Sequence, residues 1–227
     1  MSQAPSRKIV DLSHAIREGL ITYPGLPSPV ITPHLTREAA IKIYAAGTTF
    51  AMDLITMIGN TGTYLDSPFH RYSDGADLAG LKIETLVELE TEVFDFSAAS
   101  SRGIEASQLV GREISGKAVL LYTGWDKYFG ELSYAKSAPY LSKGGAEFLV
   151  KSGVVLVGID SLNIDDTESG GERPAHSLLL GAGIHIVEHL TNLGQLPATG
   201  ARFTAAPPKV EGFGTFPVRA FATFSED

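Results

Sequence analysis

The sequence predicts an α/β fold in one domain spanning residues 1–227, and three observations carry that prediction. Lys143 to Lys151 reads as a helix that stops at Gly153, and the apolar run Val154 to Ile159 follows at once. Helix leading straight into buried strand is the punctuation of α/β units. Lys117 to Tyr122 is almost continuously apolar, as a strand covered on both faces should be. Finally, 227 residues with 44% hydrophobic content suffice for one generous core, while 24 Gly and 12 Pro supply turns between many short strands.

Taken in order, Lys8 to Leu12 opens as a short strand, followed by the Gly/Pro-rich loop Tyr23 to Pro29. Val30 to Leu35 and Phe50 to Ile58 read as strands because β-branched and aromatic residues dominate them. Glu92 to Phe96 adds another strand, and Ile104 to Val110 is expected to be helical. Pro174 to Leu180 reads as a short helix with Pro174 in its first turn. Arg202 to Ala205 and Val218 to Phe224 complete the strands, with no internal repeat or linker between them.

The formal charge of −8 and the lack of basic runs argue against nucleic acid or anionic membrane as a partner. Cysteine is absent, which excludes disulfides, thiolate metal sites and cysteine nucleophiles. The opening residues lack the apolar stretch of a signal peptide, and no window reaches the ~18 apolar residues of a membrane span. A cytoplasmic protein is the expectation.

Chemistry concentrates in Gly59 to His70, read as a loop behind the Phe50 to Ile58 strand. Gly62 permits a tight backbone path, and Pro68 stiffens the piece between Asp66 and His70. Asp66 could bind a metal while His70 moves protons, or Asp66 could orient His70 as a general base. Downstream, Glu188 follows His176 by twelve positions in an apolar context where an unpaired charge is costly. His185-Ile-Val-Glu188-His189 also matches the H-x-x-E-H metallopeptidase signature. That chemistry needs a helix, whereas Ile184, Ile186 and Val187 favour a strand.

Other polar groups have plainer readings. His14 reads as packing or substrate-proximal, and Asp160 ends a buried strand where ligands often gather. Asp165 and Asp166 sit in the polar stretch Ser161 to Arg173, a solvated loop or a gate over a pocket. Trp125, Tyr128 and Phe129 read as core packing or an aromatic pocket wall. Arg219 reads as an ion-pair partner or a carboxylate clamp.

Several motifs in consistent order give the chain a family likeness. Val10-Asp-Leu-Ser-His14, Gly62-Thr63, Asp66-Ser-Pro68, His70, Gly158-Ile-Asp160, His176, Glu188, Asn192-Leu193, Leu196-Pro197 and Phe216-Pro-Val-Arg-Ala220 are all present. The sequence resembles the cyclase/kynurenine-formamidase family, which includes isatin hydrolase. The resemblance implies a mixed β-sheet core flanked by helices, the swivelling β/β/α arrangement, in a homodimer or homotetramer. It implies hydrolysis of an amide carbon–nitrogen bond in a small aromatic or cyclic substrate, N-formylkynurenine being the best known. The family motif H-x-G-T-H-x-D-x-P-x-H falls on Asn60 to His70. By that correspondence Asp66, His176 and Glu188 are metal ligands and His70 is the proton shuttle.

One departure stands out. Asn60 and Tyr64 occupy the places of the first two motif histidines, and both are poorer zinc ligands than imidazole. A single ion per chain is the expectation in place of a zinc pair, either zinc or, with Asn60 as an added oxygen ligand, manganese. Tyr64 or Asn60 would then stabilise the oxyanion. Two other readings share the pocket: metal-free acid–base cyclisation, dehydration or isomerisation by Tyr64, His70 and Glu188, and non-catalytic binding of a small molecule.

Overall fold

The computed structural model describes residues 7–225; the opening residues 1–6, part of the signal-peptide reading, lie outside them. In chain order the strands are β1 (Arg7–Asp11), β2 (Val30–Leu35), β3 (Met52–Thr56), β4 (Tyr64–Asp66), β5 (Leu89–Asp95), β6 (Gly103–Ile104), β7 (Ala118–Tyr122), β8 (Tyr140–Leu141), β9 (Leu156–Ile159), β10 (His185–Glu188), β11 (Thr199–Thr204), β12 (Thr215–Pro217) and β13 (Phe221–Ser225). The α-helices are α1 (Arg37–Ala40), α2 (Lys143–Lys151) and α3 (Pro174–Gly181).

Nine strands form one mixed sheet in the order β1-β13-β11-β5-β7-β9-β10-β4-β12. Its centre, β5-β7-β9-β10, is parallel, and antiparallel strands extend it on both sides. Parallel neighbours need crossovers, and α2 and α3 provide them before and after β9. Ser142 caps α2 by accepting from the Gly145 backbone N–H. The α/β expectation holds, with a sheet larger than its helices.

Period-two alternation splits the core. Val119 and Leu121 of β7 join the layer beneath α2 and α3, with Leu149, Leu179 and Ile186. Ala118 and Leu120 face the opposite layer, where Leu12, Leu65 and Phe203 meet. Those three come from both flanks of the sheet, so it curls to cover with its own outer strands the face that lacks helices.

Two expectations change. Gly59 to His70 is not loop throughout, because Tyr64–Asp66 forms β4, paired to β10 on one side and β12 on the other. Gly62 just before it adopts φ +65°, the left-handed conformation its lack of Cβ allows. Ile104 to Val110 is not an α-helix. Ile104 pairs in β6 with β8, and a capping box between Glu105 and Gln108 closes only one 3₁₀ turn over Ala106–Gln108.

β2 and β3 form a separate two-stranded arm with both faces largely exposed. Among the described residues no helix is long and apolar enough to cross a membrane.

Candidate metal centre

The register of β10 against β4 sets Glu188 opposite Tyr64 and Ile186 opposite Asp66. Tyr64 and Asp66, two apart, share the face of β4 that Leu65 does not use, and His176 reaches this face from the first turn of α3. His176 Nε2 lies 3.6 Å from Asp66 Oδ2 and 3.6 Å from Glu188 Oε1. Asp66, His70 and His176 each bring a ligand atom within 4.8 Å of the others. His176 and the two carboxylates are buried, whereas the His70 side chain is 34% exposed on the open side.

Each side chain is held from behind. Asp165 accepts the backbone N–H groups of Ala175 (2.6 Å) and His176 (3.0 Å), closing the start of α3, whose own N-cap residue Arg173 offers no side-chain cap. The same carboxylate pairs with His176 Nδ1 at 2.7 Å, leaving Nε2 aimed at Asp66 and Glu188. A carboxylate behind a ligating imidazole is the arrangement that orients histidine toward a metal.

Glu188 Oε1 accepts the Ile164 N–H at 2.6 Å, and Oε2 accepts the Tyr64 hydroxyl at 2.6 Å and the Asn163 amide at 3.4 Å. These bonds answer the cost of a carboxylate in an apolar strand. The Thr215 hydroxyl donates to Asp66 Oδ1, and Thr215 Oγ1 lies 2.8 Å from His70 Nδ1. Asp66 Oδ2 is buried with no hydrogen-bond partner.

Burial raises Glu188 to about 7 against the pull of His176, with Asp66 adding to the rise. For Asp66, burial also pushes upward, but His176, His70 and Thr215 outweigh it and hold the carboxyl below its ordinary value. Burial alone would lower His176; its bond to Asp165 and the nearby carboxylates of Asp66 and Glu188 carry it to about 10. Burial, then the charges of Glu188 and Asp66, raise the Tyr64 phenol well above its ordinary value, so it stays neutral.

Three carboxylates therefore surround one imidazole in a space shielded from water, and an orphaned oxygen faces its free nitrogen. That concentration of negative charge fits a bound cation. Oxygen, nitrogen and oxygen donors suit a divalent ion such as manganese or zinc.

The site residues expected from the sequence thus converge, with Asn60 beside the Tyr64 hydroxyl. Asp165, read as part of a solvated loop or gate, is instead 2% exposed and tied to His176. Thr215 and Asn163 were not legible as site residues. A faint signal for Asp165 existed, since a helix opening on Arg173-Pro174 has no Ser, Thr, Asp or Asn of its own to cap it.

The remaining candidates take structural roles. Asp160 accepts from Thr123 N, Thr123 Oγ1 and Gly124 N, tying the end of β9 to that of β7. His14 stacks on Phe129 at 3.7 Å, and Trp125 and Tyr128 pack in the same cluster. Arg219 forks onto Asp11, Nε to Oδ1 at 2.9 Å and Nη2 to Oδ2 at 2.6 Å. His185–Glu188 is a strand, so the metallopeptidase signature lacks its helix.

Comparison with known proteins places this geometry. The Cyclase family model matches residues 10–166. The chain belongs to the Cyclase family. Among its relatives there, the kynurenine formamidase of Geobacillus thermodenitrificans is 30% identical over 213 residues, 93% of this chain and 95% of that protein. The isatin hydrolase of Roseibium aggregatum is 30% identical over 216 residues, 84% of this chain and 81% of that protein. The solved structure of isatin hydrolase A from Labrenzia aggregata superposes with a TM-score of 0.83 at 25% identity, covering 97% of this chain and 94% of that one. The mixed, curled sheet with few helices is the Cyclase family's fold.

Proposed function

We propose that the protein is a metal-assisted hydrolase of an amide carbon–nitrogen bond in a small aromatic or cyclic substrate. Similarity to a kynurenine formamidase and an isatin hydrolase supports the reaction class. The observation that carries the metal is the buried, unpartnered Asp66 Oδ2 facing His176 Nε2 beside Glu188 Oε1. These three atoms would hold one divalent ion, manganese or zinc, which supplies Lewis-acid chemistry there: polarising a carbonyl and making water more acidic.

The chain's own groups do the rest. Ionised Asp66 only accepts hydrogen bonds, so Thr215 gives it its proton and its oxygen must accept from His70 Nδ1–H. That fixes the His70 tautomer with the Nε2 lone pair free. Nε2 is then the base that removes a proton from the attacking water and returns it to the leaving nitrogen. The Tyr64 proton is committed to Glu188, so Tyr64 holds that carboxylate in place, and Asn60 remains the donor for a developing oxyanion.

Metal content of tag-free protein, measured by mass spectrometry beside Asp66→Ala, tests the reading. About one divalent ion per chain, lost in the variant, with amide hydrolysis abolished by chelation and restored by the ion, is the expected result. Protein that stays metal-free after incubation with manganese and zinc, or activity that survives chelation, overturns it. In the same assay His70→Ala should retain the ion and lose about 10²–10⁴-fold in turnover; unchanged turnover removes His70 from the mechanism.

We also propose that the working form is a homodimer or larger homo-oligomer, supported by the exposed apolar side chains Ile31, Ile43, Phe50, Met52, Leu54 and Ile55 on and around the β2–β3 arm. An isolated two-stranded ribbon is marginal in water. Sedimentation should show a dimer or larger that Leu54→Lys with Ile55→Lys dissociates; a monomeric wild type refutes it.

A further inference from the structure

A cavity of about 310 Å³ opens beside the site, lined by His70, His176, Arg71, Asn163, Arg173 and Ser177 among others. Its volume suits one small ring with substituents. Two arginines line it, Arg71 next to His70 in sequence and Arg173 next to Pro174 at the start of α3.

Neither guanidinium has a carboxylate within ion-pair distance among the described residues. Arg7, Arg102, Arg112, Arg202 and Arg219 each have one; Arg17 and Arg37 also lack one among the described residues, but neither lines this cavity. Arg71 only donates Nε to Ser177 Oγ, at 3.3 Å, with its guanidinium 5.3 Å from the Tyr72 ring. Arg173 donates Nη1 to the backbone carbonyls of Glu172 (2.7 Å) and Asp166 (3.3 Å). Ser177 links them, because its hydroxyl donates to the Arg173 carbonyl at 2.8 Å. Both forks are steered by neutral partners and keep N–H groups uncommitted.

This pattern runs against the composition of the chain. With a formal charge of −8, carboxylates are plentiful, yet two cations share one cavity without any. Like charges at one cavity repel unless an anion bridges them. A planar guanidinium fork matches a carboxylate bidentately. The ion site beneath leaves the carboxylates of Asp66 and Glu188 facing His176, not the arginines.

We propose that the cavity takes a substrate bearing a carboxylate of its own, held by Arg71 and Arg173 while its amide lies over the ion site and His70. The substrate class is therefore an anionic aryl or cyclic amide. This rests on the hydrolase reading for the amide and on the two arginines for the anion, so the two fail separately.

The test compares 2-formamidobenzoate with formanilide, the same ring and formamide with and without a carboxylate. Binding is measured calorimetrically on the metal-loaded His70→Ala protein, in which turnover is suppressed, and again with Arg71→Gln and Arg173→Gln added. The anion should bind about tenfold or more tightly, with a preference that weakens with salt and falls toward parity in the double variant. Equal affinity for the two probes overturns the proposal. So does a preference that survives both arginine substitutions, since the carboxylate would then sit on the metal. Formate that binds as tightly as 2-formamidobenzoate, and only while the arginines remain, would make them a site for the released acid and also overturn it. Wild-type protein that hydrolyses neither probe while keeping the preference would sink the hydrolase reading and leave the carboxylate pocket standing.

Discussion

Asp165 serves two masters at the residue scale. One carboxylate closes the first turn of α3 and fixes the face of the imidazole that points at the ion site. Asp165→Asn keeps the size but loses one anionic acceptor. It should weaken metal affinity by about 10–100-fold, read by competition with a chromogenic chelator, while circular dichroism stays unchanged. Affinity equal to wild type would show that His176 is oriented by packing alone. The sequence pointed to the proposed ligands but not to their supports. Asp66 was readable because the family motif covers it, and His176 and Glu188 because they match the family's downstream pair at the same twelve-residue spacing. Asp165 and Thr215 were not, because their partners lie across the fold, at separations that follow no local period.

Elements differ in the same way. The passage from α2 into β9 was legible, since a capped helix, a glycine stop and an apolar run are each local signals. The three residues of β4 were not, for a Tyr-Leu-Asp strand inside a Gly- and Thr-rich stretch has too short a pattern to read. The expected helix at Ile104 failed because Ile104 is claimed by strand pairing and Gly111, at φ +91°, ends the segment. The segment entering β12 has its own demand for smallness. A Cβ on Gly214 would come within 2.6 Å of the backbone N and Cα of His70. Gly214→Ala must therefore displace either β12, which carries Thr215, or the His70 turn. Turnover should fall by about 10²-fold, as expected for a misplacement near 1 Å, with metal content retained. Wild-type activity in Gly214→Ala would show that His70 tolerates the shift.

Across the whole molecule, buried ionisable groups set how stability responds to acid. Burial lowers His185, whose Nε2 meets Thr85 at 2.9 Å and whose Nδ1 has no partner, to about 4. Below pH 6.5 the unfolded chain takes up a proton there that the folded chain refuses. This stability is thus complete above the unfolded value and drains away as pH falls from about 6.5 to about 4, at up to about 1.4 kcal/mol per pH unit. Asp160, raised by burial to about 7, acts in the opposite sense over that range. The useful quantity is therefore the difference between wild type and His185→Gln. Urea unfolding at pH 7, 6 and 5 should show the variant losing less stability toward acid, by about one proton's worth of slope. Parallel pH profiles would clear His185 of the effect.

Thr215 and Asp66 stand 149 positions apart, and the strand carrying Asp66 is flanked on one side by β10 and on the other by β12, near the C-terminus. During synthesis at about 5–20 residues per second, Asp66 waits roughly 7 to 30 s on the ribosome before its hydroxyl partner is made. Through that interval the ion site has no outer wall, and His70 has no partner to set its tautomer. The candidate centre consequently matures well after the strand that carries Asp66 has been made. On the reading proposed above, the ion can find its finished seat only after Thr215 has been made, and a chain ended short of Thr215 lacks that hydroxyl and the β12 flank of β4.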